Sequence, residues 1–317
     1  MKPFIITVDT EGDNLWQWKY GDKIHTENVL YLDRFQKLCD KYKFKPVYLT
    51  NYEMISDDRY VEFINRNLEK GNCEIGMHLH ALNNPPEYNF ENIENENNVP
   101  YLIEYPKEVM DKKIAVLTET IIEKTGVKPV SHRAGRWATN NEYFELLLKY
   151  GYKIDCSVTP NVSWTTCKGQ TMNSCGNDYS EYPEEPYNIF SNNNKSIYEI
   201  PMTIRTSNKF ILPDKLSLKE MGRSIKHVFI RDVLWLRPNG KNLNKLIYLA
   251  DFIQESKSEY LMLMIHSSEL MSGGSPTFGT KGDIEVLYRH MDILFQHISE
   301  NFYGCTLKEY YEQLLEE

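Results

Sequence analysis

The chain opens on an apolar, β-branched run, Ile5-Ile6-Thr7-Val8, and then turns abruptly acidic at Asp9, Glu11 and Asp13. That is the pattern of a buried strand ending at an open site. Short apolar runs recur at Lys45–Thr50, Glu74–Leu79, Pro129–His132, Ile154–Ser157, Ile197–Ile204 (interrupted at Pro201) and Tyr260–Ile265. Amphipathic segments separate them. Thr26 is expected to cap a helix whose apolar positions Val29, Leu30, Leu32, Phe35 and Leu38 share one face. Further helices are expected near 57–70, over 107–124 before Gly126, from Asn140 to Gly151, and near 215–228, 241–256 and 282–299. This alternation predicts an α/β fold, a parallel barrel rather than an open sheet.

Two stretches break the rhythm. Residues 83–104 are rich in Asn, Glu and Pro and read as a long surface excursion. Residues 160–196 lack periodicity and read as a loop insert within a single domain spanning 1–317.

Composition narrows the picture. With 317 residues, 41% hydrophobic and 22 tyrosines, the chain can fill a large core. A net charge of −9 argues against nucleic acid as a partner. No 18-residue apolar run is present, so no membrane span is expected. The N-terminal apolar run is too short for a signal peptide and is interrupted by Asp9, so a cytoplasmic location is expected. The six cysteines form no CxxC pair. Cys167 and Cys175 could bridge in an oxidising compartment, but free thiols are the simpler expectation. No GxGxxG follows the first strand, which leaves a dinucleotide fold little support.

Candidate chemistry collects where strands end, and in a parallel barrel those ends share one face. Asp9 and Glu11, two apart, point to the same side of a strand. Adjacent carboxylates are costly unless a cation or a shared proton compensates. His78 and His80 likewise share a face, so one ion could reach both. The fourth strand ends in His132-Arg133, the fifth gives Asp155, and the late apolar strand ends in His266. Each has a bland alternative: histidines bonded to backbone or water, a surface salt bridge for Arg133, a strand-closing role for His266. His25, His227, His290 and His297 read as structural or surface residues. Trp16, Trp18, Tyr20, Trp137 and Trp164 lie in or near the same loops, where aromatic faces would suit sugar rings or simply pack on the rim.

Five blocks, in order, resemble the polysaccharide deacetylase family of metal-dependent carbohydrate esterases: TVDTEGD at 7–13, EIGMHLHAL at 74–82, HRAGRW at 132–137, IDCSVTP at 154–160 and LMLMIHSSEL at 261–270. The resemblance implies a distorted (β/α) barrel, TIM-barrel-like with about seven strands, that hydrolyses an acetyl group, usually on a sugar. It implies Asp9 as the base and Arg133 as the residue holding it. The family's metal carboxylate usually follows that aspartate directly; Thr10 stands there, so Glu11 is the candidate ligand. His78 matches the first metal histidine, and His80 replaces a second one usually placed where Leu82 lies. His266 is implied as the general acid and Asp155 as its support. One divalent metal is implied, with zinc the default and nickel, cobalt or manganese acceptable. Trp137 and Trp16 are the candidate substrate-binding aromatics. The implied partner is an acetylated sugar or glycan precursor. A hydrolase of another small amide or ester, or a non-catalytic glycan-binding relative, stays open. A glycosidase would also use paired carboxylates but would not need the histidine pair.

Overall fold

The structure, a computed structural model, describes residues 1–19, 21–91, 99–214, 218–229 and 231–316. In chain order the elements are β1 (Lys2–Thr10), α1 (Val29–Lys41), β2 (Pro46–Thr50), α2 (Tyr52–Ile55), α3 (Asp58–Glu69), β3 (Glu74–Leu79), α4 (Lys107–Thr125), β4 (Ser131–Ala134), α5 (Asn141–Tyr150) and β5 (Ile154–Asp155). They continue with β6 (Tyr187–Asn192), β7 (Lys195–Glu199), β8 (Ile204–Ser207), α6 (Leu218–Phe229), β9 (Asp232–Trp235), α7 (Leu243–Glu255), β10 (Leu261–His266), α8 (Lys281–Ser299), β11 (Phe302–Gly304) and α9 (Leu307–Glu316).

Eight of the described strands run parallel in one curled sheet: seven in the order β10-β1-β2-β3-β4-β5-β7, and β11, which pairs with the start of β1. The antiparallel β6 extends the edge beyond β7. The curl makes a half-barrel. On its open side the chain beyond β7 carries the β8–β9 ribbon, and Leu236 bonds both ways: its N–H donates to the Thr203 carbonyl and its carbonyl accepts from Met264 N–H.

Strand parity sorts the side chains into two layers, because successive residues face opposite sides. Phe4, Ile6 and Val8 of β1 and Leu261, Leu263 and Ile265 of β10 pack into the core under the helices. Ile5, Met262 and Met264 pack into a separate core inside the barrel. By the same parity Asp9 and His266 face the interior. On β3, Ile75, Met77 and Leu79 face the helices, which turns His78 inward. On β4, Ala134 faces the helices, so Arg133 points in and His132 out. On β5, Ile154 belongs to the inner core, so Asp155 points out.

Several local expectations change. The helix expected to start at Thr26 starts at Val29, with Asn28 at the cap position and no side-chain cap. The Thr26 hydroxyl is instead committed to Asp57 at 2.7 Å. Asn140 does cap α5, accepting from Tyr143 N–H, and Gly126 and Gly151 end their helices in left-handed geometry. The stretch 83–104 is more than a surface excursion: Phe90, Val99, Tyr101 and Leu102 are buried, while residues 92–98 lie outside the described residues. The 160–196 insert is not formless, since it holds the ladder Lys168–Cys175 and ends in the β6–β7 hairpin. In that ladder Cys175 sits opposite Lys168, so Cys167 and Cys175 point to opposite faces, and all six cysteines are free. No described helix is long and apolar enough to cross a membrane.

Candidate active site

Register carries the inward-facing residues to one rim. Asp9 pairs opposite His266, and His78 opposite Arg133. Just past the end of β1, Glu11 turns back over the rim. Its main chain is held by Ser267, which accepts from Glu11 N–H at 3.0 Å, and by Asn28, which donates to the Glu11 carbonyl at 2.7 Å. Glu53 holds the next peptide, accepting from Gly12 N–H at 2.9 Å; burial pushes this carboxyl up to about 7.

Glu11, His78 and His80 form the tightest cluster of potential ligands among the described residues. Glu11 Oε2 lies 3.0 Å from His80 Nε2 and 3.5 Å from His78 Nε2, and the two Nε2 atoms are 2.9 Å apart. Tetrahedral bonds of about 2.1 Å would separate ligand atoms by roughly 3.4 Å; the 3.5 Å spacing matches that, and the 2.9 and 3.0 Å spacings are hydrogen-bond distances that would open by about 0.5 Å around a small cation. His78 is oriented from behind. Its Nδ1 is 2.9 Å from the Arg133 carbonyl, which can only accept, so Nδ1 carries a proton; Nε2 faces Glu11, and although burial would lower the imidazole, Asp9 and Glu11 outweigh it and raise it. Burial alone would raise the Glu11 carboxyl, but hydrogen bonds from His78 and His80 outweigh it and hold the group well below the usual range. Burial pulls His80 down, toward the neutral form a ligand requires.

Asp9 sits behind this cluster and is buried. Its Oδ1 accepts from Arg133 at 2.6 Å, a pair in which the arginine is fully buried. Its Oδ2 faces the site, 4.0 Å from His78 Nε2 and 3.9 Å from His266 Nε2. Burial would raise the Asp9 carboxyl, but Arg133, His78 and His266 reverse the balance and hold it below its ordinary value. Arg133 also donates through Nε to the Cys156 carbonyl at 3.0 Å and lies 5.2 Å from the Trp137 ring. Trp137 reaches that place through two consecutive left-handed residues, Arg136 (φ 56°) and Trp137 itself (φ 62°). Strained non-glycine backbone of this kind is a feature of functional loops. Gly135 makes the turn possible, since a Cβ there would lie 2.5 Å from the Leu79 carbonyl oxygen.

The assignment of Asp155 is overturned by geometry. Asp155 lies on the helix-facing side of β5 and accepts from His132 Nδ1 at 2.7 Å and from the Ser157 hydroxyl at 2.8 Å. His266 takes its support from Glu269 and Arg237 instead. Its Nδ1 is 3.0 Å from Arg237 and 3.3 Å from Glu269 Oε2, and Arg237 is paired with Glu269 at 2.9 Å. Arg237 can only donate, so it favours a bare Nδ1 and a proton on Nε2, facing the site. Glu269 is the acceptor available when both nitrogens are protonated. Glu269 was within reach of sequence reasoning, three residues after His266 in the fifth block; Arg237 carried no pattern that marked it.

A cavity of about 380 Å³ opens over these groups, lined by Asp9, Glu11, His78, His80 and His266 and walled by Trp16, Trp137 and Trp164. The Trp16 ring stands 5.0 Å from the His266 ring, and its N–H donates to Ser268 at 3.1 Å. Trp18 is not part of this lining and donates to the Asp22 carbonyl; Tyr20 lies outside the described residues. His297 pairs with Asp251, and His290 sits near Asp214, both away from the cavity.

Neither a protein-family model nor a curated protein matches the sequence. Solved structures do match the fold. A candidate polysaccharide deacetylase from Mycobacterium smegmatis superposes with a TM-score of 0.56 at 15% identity, over 99% of this chain and 91% of its own. A 4-α-glucanotransferase from Thermococcus litoralis gives 0.56 at 14% identity over 99% of this chain, which spans 41% of that enzyme. A branching enzyme from Thermococcus kodakaraensis gives 0.53 at 11% identity, over 98% and 71% of the two chains. The chain therefore has a polysaccharide-deacetylase-like fold, the distorted barrel expected from its sequence. The same barrel serves enzymes of different names, so the fold does not choose the chemistry and the site must.

Proposed function

We propose that this protein is a metal-dependent deacetylase that removes an acetyl group from an N-acetylated sugar or glycan precursor. The observation that carries the reading is the convergence of Glu11, His78 and His80 beside Asp9, which has one oxygen tied to Arg133 and the other turned to the cavity. A glycosidase would need two carboxylates free to act on the substrate, and here one of the pair is bound into a histidine cluster.

In this reading Glu11, His78 and His80 would hold a divalent ion, with zinc the default for this donor set, and it would supply Lewis-acid polarisation of the acetyl carbonyl and of water. Arg133 keeps Asp9 ionised and oriented. Asp9 takes a proton from the attacking water through Oδ2. As the C–N bond breaks, His266, doubly protonated with its Nδ1–H held by Glu269, delivers its Nε2 proton to the leaving amine and is left neutral. Arg237 is paired with Glu269 and holds it in place. Trp16 and Trp137 flank the space where a sugar ring would lie.

Metal content and acetate release, measured together on a panel of acetylated sugars, test the reading. His78→Ala is expected to lose bound metal and turnover together. Asp9→Asn is expected to keep metal and lose turnover by about a thousandfold. Stoichiometric metal in His78→Ala sinks the ligand set. Metal-dependent hydrolysis of other amides or esters, with no acetylated sugar accepted, would move the activity to the alternative substrate class.

A further inference from the structure

The charge of this chain is unevenly placed. Its net is −9, yet residues 209–245 carry nine lysines and arginines against three acids. The same stretch concentrates exposed apolar side chains. Phe210 is 46% exposed, Leu212 52% and Ile225 50%, with Met221 and Val233 also exposed. Met221 and Ile225 stand four apart on α6 and therefore share one face. Scattered exposed apolar residues need no explanation, but an apolar helical stripe inside a basic segment does.

The helix shows how the stripe arises. Ser224 is buried, and Glu220, Arg223 and Ser224 line a second cavity of about 660 Å³, which shares Trp16, Trp164 and Arg237 with the catalytic one. Among its described side chains, α6 thus turns Ser224 toward the barrel and leaves Met221 and Ile225 outward. Lys219 and Lys226 are exposed beside them.

We propose that the outward face of α6, presenting Met221 and Ile225 beside Lys219 and Lys226, docks on an anionic lipid surface. A basic amphipathic helix with exposed apolar residues is the arrangement that lies in a membrane interface, its side chains in the headgroup region and its lysines on anionic lipid. The local positive charge in an acidic chain gives both attraction and orientation, since the rest of the surface is repelled. Duplex nucleic acid would use the lysines but gain nothing from Met221 and Ile225. Combined with the deacetylase reading, on which this last step rests, docking would present the cavity mouth to sugars borne on lipid.

Cosedimentation of the full chain with vesicles tests the docking without reference to turnover. Binding is expected to phosphatidylcholine vesicles containing phosphatidylglycerol, to fall with salt, and to be far weaker on phosphatidylcholine alone. Lys219→Glu with Lys226→Glu should weaken it at least about tenfold, and Met221→Ser with Ile225→Ser should do the same. Ile225→Trp adds apolar area without altering charge and should strengthen binding, so the proposal stays testable even where other replacements disturb the helix. Absence of binding to anionic vesicles overturns it. So does a dimer that Ile225→Ser dissolves, or capture of duplex DNA in place of vesicles.

Discussion

His132 lies within β4 and His266 ends β10, parallel strands of the same barrel, and both carry a carboxylate on Nδ1, yet they sit in opposite circumstances. His132 faces the helices. Asp155 accepts from its Nδ1 at 2.7 Å, the Tyr143 hydroxyl donates to its Nε2 at 2.7 Å, and the ring is fully buried. Every polar atom of that imidazole is used. His266 faces the interior, with Glu269 and Arg237 on Nδ1 and Nε2 turned to the cavity, 3.8–3.9 Å from Glu11 and Asp9. A histidine–carboxylate pair is therefore no mark of catalysis by itself; what the second nitrogen faces decides.

The comparison can be broken most sharply by removing each ring. His266→Ala is expected to lower kcat by about a hundredfold to ten-thousandfold, the range of a lost general acid, with KM and thermal stability little changed. A loss confined to KM would contradict the acid role. His132→Ala should do the reverse. It strands Asp155 and the Tyr143 hydroxyl without their partner in a dry interior, which costs about 3–5 kcal/mol of stability. The folded fraction should turn over at close to the normal rate, as judged by urea midpoint and active-site-normalised kcat. A stable but inactive His132→Ala would mean that the two histidines are not separable in this way.

Much of this was legible in the chain. The strands, most helices and the rim cluster Asp9, Glu11, His78, His80, Arg133 and His266 follow from apolar runs that end in polar residues. The pairing of Asp155 with His266 did not survive, and strand parity gives the reason. Asp155 lies between Ile154 and Cys156, two inner-core residues, so it must point away from the interior that His266 faces. That alternation is in the sequence; the resemblance to a known block order overrode it. Arg237 was not legible, because it reaches His266 only through the path of the β8–β9 ribbon, which no local pattern specifies. The helix start at Val29 was missed for a similar reason: Thr26 has the right chemistry for a cap, but Asp57, distant in sequence, claims its hydroxyl.

The smallest expected effect separates the two carboxylates. Burial would raise Glu269, but the His266 hydrogen bond and Arg237 outweigh it and pull the group down to about 2 from an ordinary 4.5. A lowered carboxyl contributes stability that is present above the unfolded value and lost as pH falls from 4.5 toward 2. At neutral pH that contribution is at most about 3 kcal/mol, and Glu269→Gln should surrender it, so the stability gap to the parent narrows on acidification below 4.5. Asp155 is also held low: burial would raise it, but His132 overcomes this, so Asp155→Asn should show a gap of the same sign. Turnover distinguishes them. Glu269 and Arg237 hold His266 from its Nδ1 side, so Glu269→Gln should misorient the ring and lower kcat by about tenfold or less. Asp155 is held by His132 and Ser157 on the helix-facing side, so Asp155→Asn should leave the kcat of the folded protein unchanged. A loss of kcat in the Asp155 variant and none in the Glu269 variant would return His266 to the partner first expected for it.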